Sequence, residues 1–426
     1  MYLRSLNAMD LLPTEILTHI FCFLDVKDFL NVSEVCKRFE KVMNLKIFVE
    51  KICANITHVQ DFKDSQRNYV NIKLVNLYGK DLEKCNESSL TLRKLSPSVQ
   101  RVKLDNVEIF DTIPLLNVFK NFQHVTEIHM EGVYIKLSPT TTKPIQFHNL
   151  RVLKFFYNSN ELLNIFSNVK NHLKVFKLCL VPHGDEEIKT KNFKLVTRIL
   201  NRNRTTLEKL NLYDVNFDDI FLDKLSRVKF QRLSRFSMSF NSYLLPDSPG
   251  FKRFVASHVV HLEKFKVRSF DHIDQERLKI LIDHSENLRT LNLIVCPFCN
   301  YDSFAGFKNL KSLENLKLQP VSYCSIGNTC YQSFVEDKIL NHPNIVMKSV
   351  TIKHLTNISE NVINRITTSF PNLEMLDVTT ETEMSLSNSN NIRNKLKYIK
   401  RLVLNGLLSD SQCKVISNLK NENDCE

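Results

Sequence analysis

The chain has 426 residues, with 58 Lys and Arg against 46 Asp and Glu for a net charge of +12, and 43% of its residues are hydrophobic and 24% charged. That balance is ordinary for a folded, soluble protein, and the 7 Gly form no Gly-rich phosphate loop, which excludes the common nucleotide-binding motifs. Residues 1–10 lack the apolar run of a signal peptide and no segment reaches the ~18 apolar residues of a membrane span, so the 11 Cys are expected as reduced thiols in the cytoplasm or nucleus.

Residues 1–9 read as a short leader. Apolar residues then recur at helical spacing through Leu12, Ile16, Leu17, Ile20, Phe21 and Leu24. Pro13 suits a first helical turn, and Glu15 puts an acid near its positive end. Further start signals at Asp25 or Asp28 and at Ser33 predict two more helices, the last running through Val35-Cys36-Lys37-Arg38-Phe39. Three short helices are too little chain for an isolated core, so one apolar face is expected to pack inward and another to await a partner.

The blocks Leu12-Pro13-x-Glu15-Ile16-Leu17 and Val35-Cys36-Lys37-Arg38, with Ile20, Phe21, Leu24, Asp28 and Leu30 between them, closely resemble an F-box over residues 10–50. Phe39 stands where that family usually has Trp. The resemblance implies a three-helix module that docks on the small Skp-type adaptor and through it on a cullin. It also implies that Leu12, Pro13, Ile16, Leu17, Ile20, Phe21 and Leu24 lie in the adaptor groove, with Leu30, Val35 and Cys36 in support. The alternative is a helical cap over the repeats that follow, which such arrays need.

Residues 51–68 read as a helical connector. From Tyr69 a pattern of three apolar residues recurs thirteen times, as in Val99-Val102-Leu104, Leu150-Leu153-Phe155, Leu207-Leu210-Leu212 and Leu373-Leu376-Val378. The last two residues of each triplet sit two apart and so share one face of a strand. Between triplets come helical runs such as Ile113–Phe119, Leu162–Phe166 and Leu195–Leu200. The repeat starts lie 23 to 34 residues apart, near the roughly 20–29 of a leucine-rich repeat. The fold class is therefore α/β: a small three-helix unit, then a solenoid over residues 69–408 with parallel strands on a concave face and helices on the convex one. Residues 409–426 read as a C-terminal cap and polar tail. The array resembles the leucine-rich-repeat class of F-box proteins. Two longer repeats, around Pro182–Lys189 and Tyr323–Asn328, and a polar stretch over 380–394 read as loops.

The residue between the last two apolar positions faces the open side of each strand. In the first five repeats these are Lys73, Lys103, His129, Lys154 and Lys177. Like charges opposed across neighbouring strands repel, so this row is expected to take an acidic or phosphorylated protein segment. A plain surplus of exposed Lys explains the row equally. A bound polyanion is the one non-protein ligand the row permits; no cofactor is expected. Cys296-Pro297-Phe298-Cys299, with Cys324 and Cys330 downstream, has the wrong second spacing for zinc. No spacing names a nucleophile and its base, so catalysis is not expected. The reading is a substrate receptor of a Skp–cullin–F-box ubiquitin ligase. The alternatives are a repeat scaffold without ligase contact and an RNA-binding solenoid, the latter weakened because the strands show no repeated aromatic platform for bases.

Overall fold

The structure, a computed structural model, describes residues 12–24, 28, 31–32, 35–43, 45, 48, 53–56, 71–75, 99–109, 113–122, 124–135, 144–180, 186–213, 219–239, 248–267, 275–295, 309–320, 328–356, 359–380 and 399–405. The leader, Leu30 with most of the second expected helix, most of residues 51–68, residues 182–185 and 323–327 of the two longer loops, the 380–394 stretch beyond Thr380 and the C-terminal tail lie outside those residues. Residues 186–189, read from the sequence as loop, form the first turn of a helix. The chain divides into two compact units, Met1–His172 and Leu173–Glu426.

The first unit opens with α1 (Thr14–Phe21) and α2 (Lys37–Met43). Pro13 precedes the first helical residue, as its fixed φ favours. The start expected for the third helix near Ser33 moves to Lys37. There Cys36 serves as the cap: its Sγ accepts from the Phe39 amide at 3.5 Å and its carbonyl from the Glu40 amide at 3.0 Å. Leu17, Phe21, Phe39, Val42, Met43 and Phe48 close a small core, with Leu12, Cys22, Leu24, Val32 and Cys36 packed on its edge. Phe39 meets Phe21 edge-to-face at 5.2 Å, so phenylalanine fills the place where the F-box family carries the larger indole. Each fully buried large apolar side chain contributes about 1.5–3 kcal/mol.

The same unit holds a parallel ladder of β1 (Cys53–Ile56), β2 (Asn71–Val75), β3 (Arg101–Asp105), then, past the short β4 (Glu108–Ile109), β5 (Glu127–Glu131), and, past β6 (Tyr134–Ile135), β7 (Val152–Asn158). β1 corrects the sequence reading, which gave residues 51–68 to a helical connector. Residues 53–56 pair in parallel with β2 instead and add a rung before the first repeat. The apolar pairs fall into register, Ile72–Val102–Ile128–Leu153 and Leu74–Leu104–Met130–Phe155. All eight are buried. Behind them lie α3 (Ile113–Asn121) and a 3-10 helix over Asn160–Phe166, where the sequence predicted an α-helical run.

Three successive rungs end at the same corner. Asn106, Gly132 and Tyr157 follow β3, β5 and the aligned part of β7, and all are left-handed, with φ of 51°, 64° and 52°. One residue beyond each corner stand Val107, Val133 and Asn158, all buried. Asn158 holds the rung below it: Oδ1 accepts from the Val133 amide at 2.7 Å and Nδ2 donates to the Met130 carbonyl at 3.0 Å.

The second unit is a parallel ladder of nine described strands: β8 (Val175–Leu180), β9 (Lys209–Tyr213), β10 (Arg235–Met238), β11 (Lys264–Val267), β12 (Thr290–Val295), β13 (Asn315–Pro320), β14 (Ser349–Leu355), β15 (Met375–Thr380) and β16 (Arg401–Asn405). Between them run α4 (Glu186–Arg202), α5 (Asp219–Ser226), α6 (Pro249–His258), α7 (Gln275–Asp283), α8 (Asn328–Ser333, continued by a π-turn over Phe334–Ile339) and α9 (Glu360–Ser369). Asp219 ties α5 to α6, accepting from the Gly250 amide at 2.6 Å and from the Ser248 hydroxyl. Strands of period two alternating with amphipathic helices give this α/β repeat architecture because each strand's apolar face is covered only by its own helix and its neighbours.

Candidate partner-docking surfaces

The first surface is one side of α1. Residues four apart on a helix share a face. Leu17 and Phe21, 0% and 2% exposed, face the local core, whereas Ile16 and Ile20 are 47% and 38% exposed. Pro13 extends that open face at one end. At the other Phe23 is 80% exposed, its ring edge-to-face with His19 at 5.4 Å. Val35 is likewise exposed, at 68%.

This divides the residues that the F-box resemblance placed in the adaptor groove. Leu17 and Phe21 are corrected: they are core, with no surface left to offer. Leu12, Leu24 and Cys36 are half-buried on the core's edge, and Leu30 lies outside the described residues. Pro13, Ile16, Ile20 and Val35 remain available. Sequence reasoning missed Phe23, although its place three residues after Ile20 was the available signal. Arg38 anchors the arrangement from α2 by donating from Nη2 to the Leu12 carbonyl.

The second surface is the outward wall of the first unit's ladder. Lys73, Lys103, His129 and Lys154 do stand in one cross-strand row. The row is not the uncompensated line of cations expected from the sequence. Among the described residues the wall carries four cations, Lys73, Arg101, Lys103 and Lys154, against three carboxylates, Asp105, Glu127 and Glu131. Asp105 lies 3.1 Å from Lys73 and 3.0 Å from Lys103. Glu131 takes Lys103 at 3.3 Å, and Glu127 takes Lys154 at 2.5 Å and Arg101 at 3.7 Å. The acids sit two residues from the row positions, hence on the same face, a parity that could have been read in the sequence.

Electrostatics follow the pairing. Burial alone would lower the Lys103 pKa, but Asp105 and Glu131 hold it above the usual lysine value. Burial pushes Asp105 up, and Lys103 and Lys73 bring it below the usual carboxylate range. His129 is lowered by burial and then by Lys103 and Lys154, with Glu131 and Glu127 opposing. Its Nε2 lies 3.5 Å from Glu131, and its ring meets Phe156 at 5.5 Å. Lys177 belongs to the second unit, half-buried on β8 and in register with Asn211.

Cys296, Cys299 and Cys324 lie outside the described residues. Among the described residues no group of three His, Cys, Asp or Glu is placed to hold a metal ion, and no helix is long and apolar enough to cross a membrane.

The F-box-like family matches residues 9–53, and the chain carries an F-box-like domain there, ahead of its parallel α/β repeat array. No curated protein sequence matches the chain significantly. Solved structures with a similar course include the leucine-rich repeat-containing protein LegL7 from Legionella pneumophila, at 12% identity over 82% of this chain and 98% of that one, with a TM-score of 0.43. Another is the yeast complex of Rad7 and Elc1, at 12% identity over 86% of each chain and a TM-score of 0.35.

Proposed function

We propose that this chain is a substrate-receptor subunit of a Skp–cullin–F-box ubiquitin ligase. Its F-box-like helices bind the Skp-type adaptor and its repeat array holds the protein to be ubiquitinated. The observation that carries the reading is the division of α1: one face closes the small core, while Ile16, Ile20 and Phe23 stay exposed. Large apolar side chains grouped on one face mark a partner surface. The helix would lie along an apolar groove of the adaptor, a recurrent way of burying such a face.

In this role the chain performs no bond chemistry. It raises the effective concentration of the bound protein's lysines beside the transferring enzyme. Cullin joins through the adaptor. The compartment proposed is the cytoplasm or nucleus, where both would be met.

The test is co-expression with a Skp-type adaptor and affinity purification of the complex. The wild-type chain should retain the adaptor, and Ile16→Asp with Ile20→Asp should lose it while keeping the same helical content. A doubly substituted chain that still captured the adaptor would rule out this face. A repeat scaffold without ligase contact would retain no adaptor in either form.

A further inference from the structure

The second unit's wall is built differently from the first. The outward positions of β9, β10, β11, β12 and β13 carry no carboxylate among the described residues. Lys209, Arg235 and Lys264 stand directly opposite one another on β9, β10 and β11. Two residues further along lie Asn211, Ser237 and Lys266, followed on the next strands by Asn292 and Lys317. Arg235 and Lys264 are exposed, and neither forms an ion pair with another described residue.

These cations cannot swing away into the core. Phe236 and Phe265, next in sequence, fill it at 1% and 0% exposure with ring centroids 5.9 Å apart. Neighbouring strands hold the row at a step of about 4.8 Å. Like charges held so close repel, and an anionic partner relieves that repulsion.

A second observation lies beside the row. Asn211 is only 4% exposed. Its Nδ2 donates to the Tyr213 hydroxyl at 2.7 Å, and its buried Oδ1 has no donor among the described residues. A buried carbonyl oxygen left without a donor is costly, so the site wants an N–H as well as negative charge.

We propose that the wall from β9 to β11 seats an acidic peptide segment of the protein substrate. Arg235 and Lys264 would take its Asp or Glu side chains, and Asn211, once its side chain turns to uncover Oδ1, a backbone N–H. An extended peptide supplies both: acidic side chains two apart project to one side about 7 Å from each other, and its amides face the floor. A nucleic-acid backbone supplies the charge without the amide, and these strands offer no run of aromatic rings for its bases. The assignment of this segment to a substrate rests on the receptor reading given above; the binding itself does not.

The experiment uses the full chain and a fluorescein-labelled peptide of alternating Glu and Gly, followed by anisotropy, with adaptor capture measured on the same preparation. Binding should weaken as salt is raised and should fall by about tenfold or more in Arg235→Glu with Lys264→Glu. The same charge change on exposed helix positions, Lys120→Glu with Arg198→Glu, should leave it unaltered, and a Gln-Gly peptide should not bind. If the reversed pair is misfolded by circular dichroism, Arg235→Gln with Lys264→Gln takes its place and should show the same direction of loss. Undiminished binding in the folded variant overturns the proposal. So does a single-stranded RNA of equal charge that binds more tightly than the peptide and depends on the same two residues. Loss of adaptor capture with peptide binding intact would overturn the ligase reading alone.

Discussion

Ile16 and Leu17 are consecutive in the chain and meet opposite surroundings: Ile16 keeps 47% of its surface exposed, and Leu17 keeps none. The turn of α1 puts Leu17 with Phe21, Phe39 and Phe48, and leaves Ile16 with Ile20 on the open side. Substitutions at the two positions should therefore separate binding from folding. Ile16→Asp with Ile20→Asp should abolish adaptor capture and move the urea midpoint by no more than about 0.5 kcal/mol equivalent. Leu17→Ala should cost about 2–5 kcal/mol of local stability. Hydrogen exchange at the α1 and α2 amides reads the second effect.

Asn158 is a single side chain joining two rungs. Asn158→Leu would leave the Val133 amide and the Met130 carbonyl without the partners they now have at 2.7 and 3.0 Å. A buried unsatisfied group costs about 1–3 kcal/mol. The expected result is a lower urea midpoint and faster proteolysis between β5 and β7, with the second unit's protection unchanged. Val107 and Val133 in the two preceding repeats mark where an apolar residue already fills the equivalent place.

Gly250 packs against α5 so closely that a Cβ there would lie 2.2 Å from the Asp219 carbonyl oxygen and 2.5 Å from its Oδ1. Gly250→Ala should force α5 and α6 apart and break the Asp219 cap on α6. The expected loss is about 1–3 kcal/mol, read as a drop in the thermal midpoint. Ser248→Ala should cost about 1 kcal/mol, since its hydroxyl caps α6 by accepting from the Phe251 amide at 3.2 Å.

Acid should weaken the fold in two stages. Burial lowers the His258 pKa below 6.5, with the Leu225 carbonyl opposing and the charge of His261 adding to it. His129 is lowered also. A histidine depressed in the folded state is protonated first in the unfolded chain. Its contribution is complete above about pH 6.5 and is lost as pH falls from there toward the folded value. Asp105, held below 3.8 by Lys103 and Lys73 after burial pushes it the other way, keeps its contribution until pH falls below about 3.8. Urea midpoints should therefore decline from about pH 7 to about pH 5, and His258→Gln should flatten part of that slope. A midpoint unchanged over that range would contradict the assignment.

Much of the architecture was legible in the chain. Leu207-Leu210-Leu212 and its twelve counterparts carry the period, and a strand whose apolar pair must be covered by the next copy has few other ways to fold. The F-box blocks around Leu12 and Val35 marked the N-terminal helices. The wall was harder to read. Choosing one residue per strand gave a row of lysines, but the pleat also places residues two before and two after on the same face. Asp105, Glu127 and Glu131 therefore join the first unit's wall and pair with its cations, while Lys209, Arg235 and Lys264 line up in the second. β1 was missed because Cys53–Ile56 is too short to show a period, and only pairing with β2 makes it a strand.

Sequence by itself determined the repeat period, the order of strands and helices, and the identity of the N-terminal module, because these depend on residue types at local spacings. Tertiary structure alone decided which apolar residues of α1 are spent on the core and which stay outside, and which charges meet across strands. Both depend on atoms brought together from residues far apart in the chain, and no local pattern fixes how those distances close.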